Sequence, residues 1–98
     1  MELGIIKRTI LKRRLVNLYL DLCDQKQTVD EHFDKGLITN ELATTLYKRI
    51  CVYANNQYAQ IYQKFNILDV DINQEERFKL LLDNMQIKIS RLEQDLQV

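Results

Sequence analysis

An all-α fold, an antiparallel up-down-up bundle of three long helices, is what this sequence predicts, and three observations carry the prediction. The 98-residue chain has no proline and two glycines, of which only Gly36 lies away from the N-terminus. Those residue types are the strongest helix breakers, so few interruptions are available. Apolar residues recur with a helical period in three long stretches. Only two short segments separate the stretches, and short connections make neighbouring helices antiparallel. The expected helices span about 3–35, 40–65 and 72–97, within one domain covering 1–98.

The first helix is marked by Leu11, Leu15, Leu18, Leu22, Val29 and Phe33. This is a 4-3-4 rhythm with one beat missing, filled by Gln25 or Lys26. A break at Gln27 competes, because Thr28-Val29-Asp30-Glu31 has the form of a capping box. The stripe keeps its phase across the gap, so one continuous helix is expected. Gly36 then supplies the left-handed residue that ends it. Thr39 is the expected N-cap of the second helix, with Glu41 near the positive end of its dipole. Its inward face reads Ala43, Tyr47, Ile50, Ala54, Tyr58, Ile61 and Phe65, and Asn66–Asp71 closes it. Asp71 or Asn73 is expected to cap the third helix, whose first turn holds Glu75 and Glu76. Phe78, Leu82, Met85, Ile89, Leu92 and Leu96 follow at spacings of 4, 3, 4, 3 and 4, a heptad seam. Gln86 and Glu93 fall on the opposite side of that wheel.

A hairpin turning at Gly36–Leu37 puts residues at equal height when their numbers sum to about 74. Cys23 is then level with Cys51, Leu20 with Ala54, and Val16 with Tyr58. A second turn near Asp69 brings Cys51 level with Ile87.

Charge narrows the function classes. The chain is neutral overall, so no global field draws it to nucleic acid or to an acidic partner. Locally, residues 1–14 hold Lys7, Arg8, Lys12, Arg13 and Arg14 against Glu2, a net of +4, and the remainder carries −4. At 100° per residue those five bases scatter round the helix among Ile6, Ile10 and Leu11, whereas a phosphate-binding stripe gathers them on one side. A solvated helix end is the plainer reading, with nucleic acid or an anionic membrane surface as alternatives. Neither a signal peptide nor a run long enough to span a bilayer is present in the sequence. Two cysteines without C-x-x-C make no disulfide framework, so buried, reduced thiols in a cytoplasmic protein are expected.

Motifs of chemistry are weak. Asp69-x-Asp71-x-Asn73 imitates the start of a calcium loop but has Gln74 where glycine is required and Leu80 where glutamate is required. Thr39–Ala43 imitates the opening of a helix-turn-helix, yet Leu46–Ile50 continues without the needed turn. His32 stands alone, and Ser90, the sole serine, has no base spaced to activate it. No catalytic, cofactor, metal or small-molecule site is expected. What remains is the run from Ile50 to Gln63, fourteen positions without a charge. Only part of it can face a core, which leaves Tyr53, Asn56, Gln57 and Gln60 for a surface. Loss of charge with gain of tyrosine is the composition of a protein–protein interface. The expected function is therefore non-enzymatic binding of a protein partner or of itself. The alternative is a nucleic-acid-binding regulator that uses Lys7, Arg8, Lys12, Arg13 and Arg14.

Overall fold

The computed structural model describes residues 4–96 and shows three helices packed on one another, with no strand among those residues. Helix α1 spans Ile5–Asp34, α2 spans Asn40–Gln63 and α3 spans Glu76–Leu96. The start expected at Leu3 and the end expected at Gln97 lie outside the described residues.

Helix α1 runs unbroken through Gln27. Thr28 does not cap a new helix there, because its hydroxyl donates to the carbonyl of Asp24 one turn back. The end of α1 is a Schellman motif: Gly36 adopts φ +72°, Gly36 N–H donates to Phe33, and Leu37 N–H donates to His32. Thr39 caps α2 through its Oγ1, which accepts from Leu42 N–H at 3.1 Å. The far end of α2 repeats the device with Asn66 in place of glycine, at φ 58°. Asn66 N–H donates to Gln63 and Ile67 N–H to Tyr62, so α2 stops at Gln63 and Phe65 lies in the turn.

The entry to α3 departs from expectation. Asp71 folds back on itself, its Oδ1 accepting from Asn73 N–H at 2.9 Å, and closes a short 3₁₀ turn over Ile72–Gln74. Glu75 is then extended (φ −96°, ψ 116°) and breaks the helical path. Its carboxylate, not that of Asp71 or Asn73, accepts from Phe78 N–H at 3.3 Å and caps α3, which begins at Glu76 rather than 72. Ile72 is buried and plugs the end of the core.

Cross-helix contacts fix the directions. Tyr53 meets Asp21, and their numbers sum to 74 as the hairpin requires. Gln86 reaches Cys51 and Glu93 reaches Lys48, so α2 and α3 are antiparallel. Tyr19 packs on Phe78 and Asp30 pairs with Lys88, so α1 and α3 run parallel. Helix α2 packs along both neighbours, and α1 and α3 meet over less surface. The core follows the three seams: Leu18, Leu22 and Val29 from α1, Ala43 to Tyr58 from α2, and Phe78 to Leu92 from α3. Its lower end is an aromatic group in which Phe78 takes the edges of Tyr19 and Tyr58 at centroid distances of 5.7 and 5.3 Å.

Three expected positions at the ends of the bundle are more open than their spacing implies. Leu11 and Phe65 are half-buried and Leu96 is exposed, because each lies where one of the three helices has already ended. Glu93 is half-buried against α2, so the open face of α3 is instead the side of Leu80 and Ile87. The described residues measure 53 × 22 × 18 Å. Thirty residues of α1 extend about 45 Å and the 21 of α3 about 32 Å. Since Asp30 is level with Lys88, the excess falls at the N-terminal end of α1, which projects past the start of α3.

Candidate functional site

The uncharged stretch of α2 forms two rows. Val52, Asn56 and Gln60 stand on the outward crest and are exposed. Tyr53 and Gln57 form the second row, at the border with α1. There Tyr53 O–H donates to Asp21 Oδ2 at 3.2 Å, and burial together with that carboxylate raises the phenol above its ordinary range. Gln57 shares a shallow depression with Arg14, Asn17, Asp21, Ile61 and Lys64. The four expected residues thus occupy one side of the molecule. The stretch is bounded by charge in three dimensions: Lys48 and Arg49 border the Val52–Tyr53 end, and Arg14, Asp21 and Lys64 border the other.

The basic residues Lys7, Arg8, Lys12, Arg13 and Arg14 are all exposed on the projecting part of α1. Ile5, Ile6 and Ile10 emerge among them at 83%, 77% and 43% exposure. Only Arg14 reaches the side of the α2 rows.

A cluster that the sequence did not reveal joins all three helices. Asp30 receives Lys26 Nζ on Oδ2 at 2.9 Å, and Lys88 Nζ and Tyr47 O–H on Oδ1. Burial alone raises a carboxyl pKa, but the hydrogen bonds from Lys26, Lys88 and Tyr47 outweigh it and hold Asp30 below the usual range. Burial and the same carboxylate push the Tyr47 phenol strongly up, so it stays a donor. Phe33, Asp34, Arg91 and Leu92 complete a cleft of about 170 Å³ beside Tyr47 and Lys88. Each acceptor oxygen of Asp30 is occupied, so the cluster fastens α1 to α2 and α3 and leaves no free base. One signal pointed to it: the missing beat at Lys26, which is half-buried yet charged.

The remaining candidates resolve into local structure. Cys23 and Cys51 are both free thiols; burial raises the Cys51 thiol, whose sulfur accepts from Gln86 at 3.8 Å. His32 is exposed near the end of α1. Among the described residues no group of three or more His, Cys, Asp or Glu side chains is placed to hold a metal ion, and no helix is long and apolar enough to cross a membrane. Compared with protein-family models, curated proteins and solved structures, the chain matches none.

Proposed function

We propose that this protein binds another protein through the outward side of α2, with Tyr53, Asn56, Gln57 and Gln60 in the contact. The observation that carries the reading is an exposed crest without charge from Val52 to Gln60, beside a tyrosine at the α1 border. Amide side chains adapt their hydrogen bonds to a partner, and Tyr53 adds rigid area at low entropic cost. The bordering charges Arg14, Asp21, Arg49 and Lys64 form the polar rim that such interfaces keep.

The test places a photo-crosslinking residue at Asn56, identifies the captured protein, and measures its affinity for the purified chain. Asn56→Glu with Gln60→Glu should weaken that affinity at least tenfold with unchanged helical circular dichroism, because each carboxylate must lose its water. A captured partner that binds the double variant equally well removes the proposal.

Nucleic-acid binding by Lys7, Arg8, Lys12, Arg13 and Arg14 is the second reading, favoured by their full exposure on a projecting helix end. The three isoleucines among them count against it. Steep loss of affinity with salt marks phosphate contacts, and near-indifference to salt marks the protein interface.

A further inference from the structure

We propose that α1 pairs with α1 of a second copy of this chain, antiparallel, along its outward stripe. The stripe is Ile6, Ile10, Arg13, Asn17, Leu20 and Asp24, spaced 4, 3, 4, 3 and 4, and every member is exposed. It lies about 140° round the helix from the buried seam of Leu18 and Leu22, so nothing in the bundle covers it. Leu20 at 59% exposure has no role in the fold that its neighbours require. The spacing is that of a helix made to meet another helix, and α1 therefore carries two seams, one used and one open.

Charge selects the occupant and its direction. The first half of α1 bears Lys7, Arg8, Lys12, Arg13 and Arg14 with no acid from Ile5 to Val16. The second half bears Asp21, Asp24, Glu31 and Asp34 beyond the internally paired Lys26 and Asp30. A parallel pair sets base against base. An antiparallel pair sets each basic half against an acidic half, and the same surface completes itself through a two-fold axis.

One register brings Ile10 and Leu20 of the two stripes together, with facing residue numbers summing to 30. Ile10 meets Leu20 of the partner subunit, and Arg13 meets Asn17 of the partner subunit. Ile6 reaches Asp24 of the partner subunit at the open end of the pair, where the carboxylate keeps its water. Lys7 lies beside Asp21 of the partner subunit. Near the axis Arg14 approaches its own symmetry mate, and both guanidiniums turn to the depression they share with Asp21 and Gln57. Six facing layers extend over about 27 Å and cover Ile6 and Ile10 of the projecting end. The α2 crest of Val52, Asn56 and Gln60 stays open, and the pairing shares only the border residues Arg14, Asp21 and Gln57 with the partner surface above.

The experiment combines sedimentation equilibrium of the native chain with disulfide trapping. The native chain should be a dimer, and Leu20→Glu should raise its dissociation constant at least about thirtyfold, with unchanged helicity, for each of two symmetry-related contacts. Asn56→Glu with Gln60→Glu should leave the dimer intact. For trapping, Ile10→Cys and Leu20→Cys are made separately in a chain with Cys23→Ala and Cys51→Ala. Neither variant should crosslink alone, and the mixture should crosslink. Crosslinking of either variant with itself means parallel pairing and overturns the proposal. So does a strictly monomeric native chain, including one whose basic end binds duplex DNA or anionic vesicles instead. If the cysteine-free chain does not fold, the sedimentation of Leu20→Glu decides.

Discussion

Removing the Asp30 carboxylate tests whether one polar cluster holds the upper half of the bundle together. Three donors from three helices converge on it, and its side chain is 21% exposed. In Asp30→Ala the chain loses three charge-assisted hydrogen bonds and leaves the Tyr47 hydroxyl without its acceptor. Lys26 and Lys88 recover part of the loss by turning to water. Hydrogen bonds to charged groups contribute about 1.5–3 kcal/mol each before such recovery, so a net loss of about 2–4 kcal/mol is expected. That is a large fraction of the stability of a small domain, and each kcal/mol lowers Tm by about 4–8 °C at this size. Urea unfolding followed by circular dichroism measures it. The pH dependence adds a sharper reading. The folded pKa of Asp30 is depressed, so its contribution is complete above the ordinary Asp pKa of about 3.9 and is lost as pH falls through the lower folded value. The stability gap between the native chain and Asp30→Asn should therefore be widest at neutral pH and close in acid. A loss under about 0.5 kcal/mol for Asp30→Ala, or a gap unchanged in acid, would refute the argument.

Three further outcomes follow from the packing and the caps. Leu82→Ala, Met85→Ala and Ile89→Ala should each cost about 2–5 kcal/mol in urea unfolding, while Leu80→Ala and Ile87→Ala on the open face should cost about 0.5 kcal/mol or less. Gly36→Ala should cost about 1 kcal/mol through its positive φ alone, since a Cβ there meets nothing within 4 Å; Asn66→Gly should be neutral or slightly stabilising. Replacing Arg8, Lys12 and Arg13 by Gln should leave thermal unfolding of the bundle nearly unchanged, because these exposed charges form no ion pair within the described residues.

The helices, their order and their register were legible because hydrophobic period and breaker placement are local signals, and local signals suffice for a fold made of neighbours in sequence. Gly36 and Thr39 announce one turn unambiguously. The entry to α3 was not legible, because Asp69, Asp71, Asn73, Glu75 and Glu76 all have capping side chains, and the choice among them depends on Ile72 filling the core end. The Asp30 cluster was hidden for a different reason. Its partner Lys88 lies 58 residues away, and both residues sit just outside the apolar stripes that periodicity detects. The α2 surface was half legible: the run without charge is a property of one helix, and Arg14 and Asp21 join its border only once α1 is laid alongside.

The distribution of fastenings leaves the N-terminal end of α1 outside the packed bundle. The aromatic group at Tyr19, Tyr58 and Phe78 and the cluster at Asp30 pin α1 at two heights, one at its midpoint and one near its C-terminal end. Among the described residues from Gly4 to Arg14, no apolar side chain belongs to the core or packs against it. A helix segment of about ten residues is too short to be stable in water on its own propensity, so this part of α1 depends on propagation from the bundle. Loss of the projecting residues should therefore cost the bundle little. An α1 lacking residues 1–10 that keeps its unfolding transition but loses dimerisation would assign the overhang to association. A chain so shortened that unfolds would instead return Ile5, Ile6 and Ile10 to the fold and leave the outward stripe without a purpose.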